Sequence, residues 1–368
     1  MSMDFEFSSD SMMLRDMVRR FVQKEARPLE MGYFTSGALQ EEDRARLRSA
    51  VEQMGLWGLL VPERFGGGGL DAISACVVEM ELGTTFIPVE IGNVPPAMYA
   101  CCGEQVDRFL TPALSGERHV HVAAREPSGV TPESWTTLAT PDGDGFHLSG
   151  VKLLSRRPAT RDIILTLARA PEGWTGFLVD ATEVESAEVA KGGATIRFLE
   201  MPIGHERVLG ELGGALQLGK DEAPRSWILT GAKYVGMTER LLEMGAEHAR
   251  DWVALGAPLA VRPALRRMLA ELRSELEAAR WLVYHAAWCS DKGQPVKTEA
   301  AIVRLRTGDL LKDAVDRVTM TFGGPGPIPQ IEPQRMVHAL APPGVLDFAL
   351  EQARELVASD VLATAGGN

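Results

Sequence analysis

Apolar positions in this chain recur first at helical spacing, then at strand spacing, then at helical spacing again. Residues 8 to 120 carry the first helical stretch. In 10-DSMMLRDMVRRFVQKEARP-28, Met13, Met17, Phe21 and Val22 fall on one face, with Asp10 as the expected N-cap and Pro28 as the stop. A second helix fits 39-LQEEDRARLRSAVEQMG-55, with Gly55 past its end, and a third fits 70-LDAISACVVEMELGTT-85. From about residue 119 the period drops to two. HVHVAA alternates, the turn 141-PDGDG-145 leads into 146-FHLSGVKLLS-155, and 162-DIILTLARA-170, 175-TGFLVD-180 and 194-ATIRFLEMPI-203 follow as short strands. From about residue 215 the helical period returns. Ile228, Ala232, Val235, Leu242, Ala246 and Ala249 trace one stripe, and Met268, Leu272, Leu276, Ala279 and Val283 trace another. Two more helices fit 296–322 and 344–362.

This order predicts an α+β multidomain chain. An N-terminal helical domain covers 1–118, a middle antiparallel β domain covers 119–214, and a C-terminal four-helix bundle covers 215–368. The 368 residues suffice for such an arrangement. Lys and Arg number 38 against 50 Asp and Glu, a formal charge of -12, which argues against a general nucleic-acid binder. No run of 18 apolar residues suggests a membrane span, and the start lacks a secretory pattern, so a cytosolic location is expected. Cys76, Cys101, Cys102 and Cys289 form no CxxC and read as reduced thiols.

The stretch 61-VPERFGGGGLD-71 raises the question of phosphate binding. No Gly-Lys-Ser/Thr follows it and no alternating βα pattern surrounds it, so Gly66 to Gly69 read as a turn that uses positive φ and close packing. His119 and His121 alternate on a strand, but no Cys or carboxylate cluster supports a metal. Arg156, Arg157 and Arg161 read as a solvated charged loop before a phosphate contact.

Five phrases together carry a family resemblance: 55-GLWGLLVPERFGGGGLD-71, 125-REP-127, 148-LSGVK-152, 208-VLGELGGAL-216 and 323-GGPG-326. In this order, across this helix–β–helix pattern, the chain resembles the acyl-CoA dehydrogenases over nearly its whole length. The resemblance implies FAD and an acyl-CoA substrate. It also implies a buried Glu or Asp that removes the α-proton while hydride leaves the β-carbon for the flavin.

The positions that would do this chemistry are altered. The family places its base either in a Tyr-Glu-Gly-Thr phrase, where this chain has Pro343 before Gly344, or just before an Arg, where it has Pro224 before Arg225. Glu222, with Asp221 beside it, is a displaced candidate, although acidic residues at a helix start also suit the macrodipole. Arg125 stands at the Thr of the family's Thr-Glu-Pro, and 153-LLSRR-157 lacks the flavin aromatic, with Ser155 one residue out of place. Trp252 replaces the adenosine-side Arg, Pro263 and Met320 replace two glutamines, while Gly323 and Gly324 keep the backbone approach to a flavin phosphate.

The resemblance therefore points to the non-catalytic subunit of an α2β2 acyl-CoA dehydrogenase of the steroid side-chain type. A homologous catalytic partner would bind FAD in the main, and an electron-transfer flavoprotein would be the acceptor. Two alternatives stay open: a self-sufficient flavoenzyme with a displaced base, and a flavin-free interaction protein reusing the fold.

Overall fold

The computed structural model describes residues 7–36, 39–129, 131–154, 156–188, 193–220, 222–322 and 348–365. They fall into two compact units, a helical one built from residues up to Ile91 and from Pro224 onward, and a β unit over Gly92–Ala223.

In the helical unit, α1 (Ser9–Phe21) is capped by Ser8, whose hydroxyl accepts from the Ser11 amide. Asp10, the expected cap, lies inside the first turn, where its charge favours the helix dipole. The buried stripe is Ser11, Val18 and Phe21, with Leu14 and Met17 packed against it. Met13 is 63 % exposed, because apolar residues occupy two faces of this helix and the larger cluster wins the core. The chain then tightens into irregular helical turns over Val22–Leu29, and Pro28 lies within the turn Arg27–Leu29 and does not stop the helical course. Next come α2 (Glu30–Ser36), α3 (Glu41–Gln53) and α4 (Ala72–Gly83). Gly55 sits past α3 at φ 67, as expected.

The second half of the unit contains α5 (Glu222–Asp251), α6 (Pro263–Asp291), α7 (Lys297–Thr321) and α8 (Phe348–Ala365). Ile228, Ala232, Val235 and Ala249 of the predicted α5 stripe are buried, whereas Ala246 is exposed and Leu241 replaces Leu242 in the core. Both halves join intimately. A Cβ on Gly236 of α5 would lie 1.9 Å from the Met80 carbonyl oxygen of α4, and one on Gly83 would lie 2.3 Å from that of Lys233. Only glycines permit this backbone-to-backbone crossing. Asp291, at the end of α6, accepts the Ala72 and Ile73 amides at 2.6 and 3.1 Å and so caps α4 from another part of the chain.

The β unit is one eight-stranded sheet among the described residues. Its strands are β1 (Val120–Ala123), β2 (Leu138–Asp142), β3 (Gly145–Leu154), β4 (Ile163–Ala170), β5 (Gly173–Asp180), β6 (Glu185–Glu188), β7 (Ala194–Gly204) and β8 (Val208–Leu209). The order is β6-β7-β3-β2-β4-β5-β8, mostly antiparallel, with β1 and β2 meeting β4 in parallel. Phe146, Leu148, Phe177, Ile196 and Phe198 form its core.

Segment 92–118 is tied to this sheet by charge. Arg108, Arg118 and Arg207 converge on Asp180, Arg207 also grips Glu183 at 2.6 Å, and all three guanidiniums lie 5.1 to 5.6 Å from the Phe109 ring. Gln105 adds two hydrogen bonds, to the Glu206 and Val208 carbonyls.

Gly236→Ala should therefore lower unfolding stability by about 1–3 kcal/mol in urea titrations, because neither backbone can move away. Gly32→Ala, in α2 with open space around it, should be neutral or stabilising by up to about 1 kcal/mol.

Candidate functional site

The phrases REP and LSGVK meet in the β unit. The Leu153 amide donates to the Arg125 carbonyl at 2.9 Å, which lays residue 125 beside β3. One residue on, the Glu126 carboxylate accepts from Lys152 Nζ at 2.8 Å, and both side chains are fully buried. The remaining lone pairs of Glu126 are met by the Thr137 amide, the Thr136 amide and hydroxyl, and the Ser128 hydroxyl. Trp135 and Trp174, edge to face, lie 5.1 and 5.8 Å from the ammonium. Burial works against ionisation of Glu126, but the bonds from Lys152 and the two threonines overcome it and hold the carboxyl down to about 2. This centre is closed and fully bonded. It positions backbone and offers no group to a substrate.

The side chains expected to act are not gathered around it. Arg125 is half-buried and carries no hydroxyl at the position where the resemblance requires one. Ser155, Asp221, Gly323, Gly324 and Pro343 lie outside the described residues. Pro224 sits in the first turn of α5, where a missing amide costs nothing, and Glu222 begins that helix. His121 is buried against Asp162 at 2.8 Å, a structural pair, and no group of three metal-ligating side chains occurs among the described residues. The four cysteines are free, and burial pushes the Cys76 thiol far up.

Sequence reasoning missed Glu79. It lies on α4 amid buried neighbours, and burial raises its proton affinity, opposed only by Lys233. Two acids inside the otherwise apolar 72-AISACVVEMELG-83, Glu79 and Glu81, were the available signal, and of the two it is Glu81 that is paired, with Arg19.

The glycine turn borders a cleft of about 420 Å³ lined by Leu60, Pro62, Glu63, Arg64, Gly69, Leu70 and Arg225. Gly66 and Gly69 have φ of 82 and 58, and a Cβ on Gly67 would lie 2.1 Å from the Val61 carbonyl oxygen. The amides of Gly66, Gly67, Gly68 and Gly69 donate to the carbonyls of Glu63, Pro62, Gly58 and Val61. Their donors are spent within the turn, so the glycines do not cradle a phosphate.

The described residues do not fit the whole of FAD. After α5 the chain forms a small hairpin, Val253–Ala254 against Ala257–Pro258, with Leu255 95 % exposed at its tip. Trp252, at the expected guanidinium position, stacks on His248 at 5.5 Å, and Arg250 pairs with its neighbour Asp251. An indole offers one N–H donor and no charge to a pyrophosphate.

Two family models match, the acyl-CoA dehydrogenase N-terminal domain over residues 8–117 and the C-terminal domain over residues 225–342. The chain is 29 % identical to (R)-benzylsuccinyl-CoA dehydrogenase of Thauera aromatica, covering 88 % of each chain. It is also 29 % identical to (2S)-methylsuccinyl-CoA dehydrogenase of Cereibacter sphaeroides, covering 85 % of this chain and 62 % of that protein. The structure of butyryl-CoA dehydrogenase from Megasphaera elsdenii superposes with a TM-score of 0.83 at 21 % identity, covering 98 % of this chain and 100 % of that one, which establishes the fold.

Lys152→Met should destabilise the protein by about 3–5 kcal/mol, since it strands a buried carboxylate, and Glu126→Leu with Lys152→Met should recover most of that loss. Because the Glu126 carboxyl is depressed in the fold, its contribution is complete above about 4.5 and is lost as pH falls toward about 2. Acid unfolding of Glu126→Gln should show a correspondingly weaker pH dependence across that window.

Proposed function

The chain belongs to the acyl-CoA dehydrogenase family, which supports FAD-dependent acyl-CoA dehydrogenation as the chemistry it serves, and from that premise we propose that it acts as a subunit without a base of its own. The observation that carries this reading is Pro224 in the first turn of α5, directly before the retained Arg225. A pyrrolidine ring has no proton acceptor, so the position holds the helix start and nothing else. Pro343, at the other expected base position, points the same way from sequence.

The partner is a homologous catalytic chain that supplies the base and most of the FAD contacts, in an α2β2 assembly. Gly323, Gly324, Ser155 and Arg125 remain this chain's proposed flavin neighbours, the first two by backbone. An electron-transfer flavoprotein is the proposed acceptor, and the cytoplasm the proposed location. No helix among the described residues is long and apolar enough to cross a membrane, which agrees with that location. For the acyl group, the similarity to a benzylsuccinyl-CoA and a methylsuccinyl-CoA dehydrogenase favours a substituted succinyl-CoA over a steroid side chain.

A self-sufficient enzyme with a displaced base is the second reading, and Glu79 favours it beside Glu222. Burial raises the proton affinity of Glu79, with Lys233 opposing it.

In the purified complex, Glu222→Gln and Glu79→Gln in this chain should leave kcat within about twofold of the parent. A drop of about 10²-fold or more in either variant, the ordinary loss on removing a general base, would move the catalytic role into this chain.

A further inference from the structure

The cleft beside the glycine turn holds two cations that the rest of the helical unit leaves without an acid. Arg19, Arg27, Arg46, Arg240, Arg280 and Arg317 of that unit each pair with a carboxylate. Arg225 and Arg64 have none within ion-pair distance among the described residues, on a chain whose net charge is -12. Arg225 spends one Nη2 hydrogen bond, 3.3 Å, on the carbonyl of Leu60, and both residues line the cleft. Arg64 lies with its Cζ 4.9 Å from the Phe65 ring centroid. The floor beneath them is rigid, because a Cβ on Gly67 or Gly68 would meet the backbone at 2.1 or 3.1 Å. Leu60, Pro62 and Leu70 supply an apolar wall.

We propose that this cleft recognises the carboxylate of a short acyl group, held by the Arg225 and Arg64 guanidiniums with its hydrocarbon against Leu60 and Leu70. A planar carboxylate matches a guanidinium by paired hydrogen bonds. A phosphate dianion is disfavoured twice. The glycine amides that would cradle it are already bonded, and Glu63 stands on the same rim. A volume of about 420 Å³ suits a short, compact chain and not a long one. The carboxylate could arrive free or as the far end of a dicarboxylic acyl-CoA. Only the second source rests on the subunit reading above.

The test is isothermal titration of the full chain with methylsuccinate, methylsuccinyl-CoA, coenzyme A and inorganic phosphate. Methylsuccinate should bind and phosphate should not, and Arg64→Gln should weaken methylsuccinate by at least about tenfold with an unchanged melting temperature. Arg225→Gln should do the same, but its bond to Leu60 makes Arg64→Gln the cleaner variant. Tighter binding of methylsuccinyl-CoA than of either methylsuccinate or coenzyme A, still sensitive to Arg64→Gln, would identify the acyl-CoA as the source. Equal binding of both acids without coenzyme A dependence would identify the free dicarboxylate. Absence of methylsuccinate binding, equal binding of phosphate, or indifference to both variants would overturn the proposal. Flavin content plays no part in these readouts. A chain that holds its own flavin would sink the subunit reading and leave this one standing, and a chain that ignores methylsuccinate would do the reverse.

Discussion

A carboxylate and an ammonium, both removed from water, organise the β unit. Burying either alone would cost several kcal/mol, and the pair is tolerable only because every exposed-in-principle lone pair of Glu126 has a donor. That requirement fixes geometry. Thr136 and Thr137 must come to Glu126, which pins the segment just before β2 against the residues after β1. Lys152 must point inward from β3, so Leu154 does too and joins the core, while Val151 and Leu153 face the other way. The two phrases that carry the family resemblance most visibly are thus scaffolding. Their survival says that the fold is kept, and it carries no information about catalysis.

The helical unit is held by a different constraint, the close approach of α4 and α5 at Gly83 and Gly236. With the Asp291 cap on α4, this binds segments that lie far apart in sequence into one body. The N-terminal and C-terminal helices share a core, a grouping invisible to a reading that proceeds along the chain. Pro224, half-buried, and Arg225, exposed, stand together at the start of α5. The proline starts a helix and the arginine reaches back to Leu60, so a position that could have held a base is used to fix where α5 begins.

Much of the architecture was legible. Alternation in HVHVAA located β1, short apolar runs between turn residues located β3, β4, β5 and β7, and helical stripes located the long helices, because burial leaves a mark in period or in composition. The short strands β2, β6 and β8 left none, since Leu138–Asp142 carries a proline and few buried residues, Glu185–Glu188 is mostly polar, and Val208–Leu209 spans only two residues. Capping was misread at Asp10 because Ser8 offers an equivalent oxygen two residues earlier. The glycine turn was read from its missing lysine, and its spent amides agree. The site was less legible. Ion pairing decides which arginines are available, and pairing depends on contacts such as Arg240 with Glu30 that no local pattern announces. Glu79 escaped for the same reason, because its character comes from neighbours on other helices.

The central claim is that this chain keeps the fold and depends on a partner for the flavin. The direct measurement is the visible absorption spectrum of the purified chain, alone and then co-purified with a homologous catalytic chain. The account predicts a colourless isolated protein and about half a flavin equivalent per chain in the complex, the stoichiometry of an assembly in which one of two subunit kinds holds the cofactor. A flavin band near one equivalent per chain in the isolated protein would contradict it.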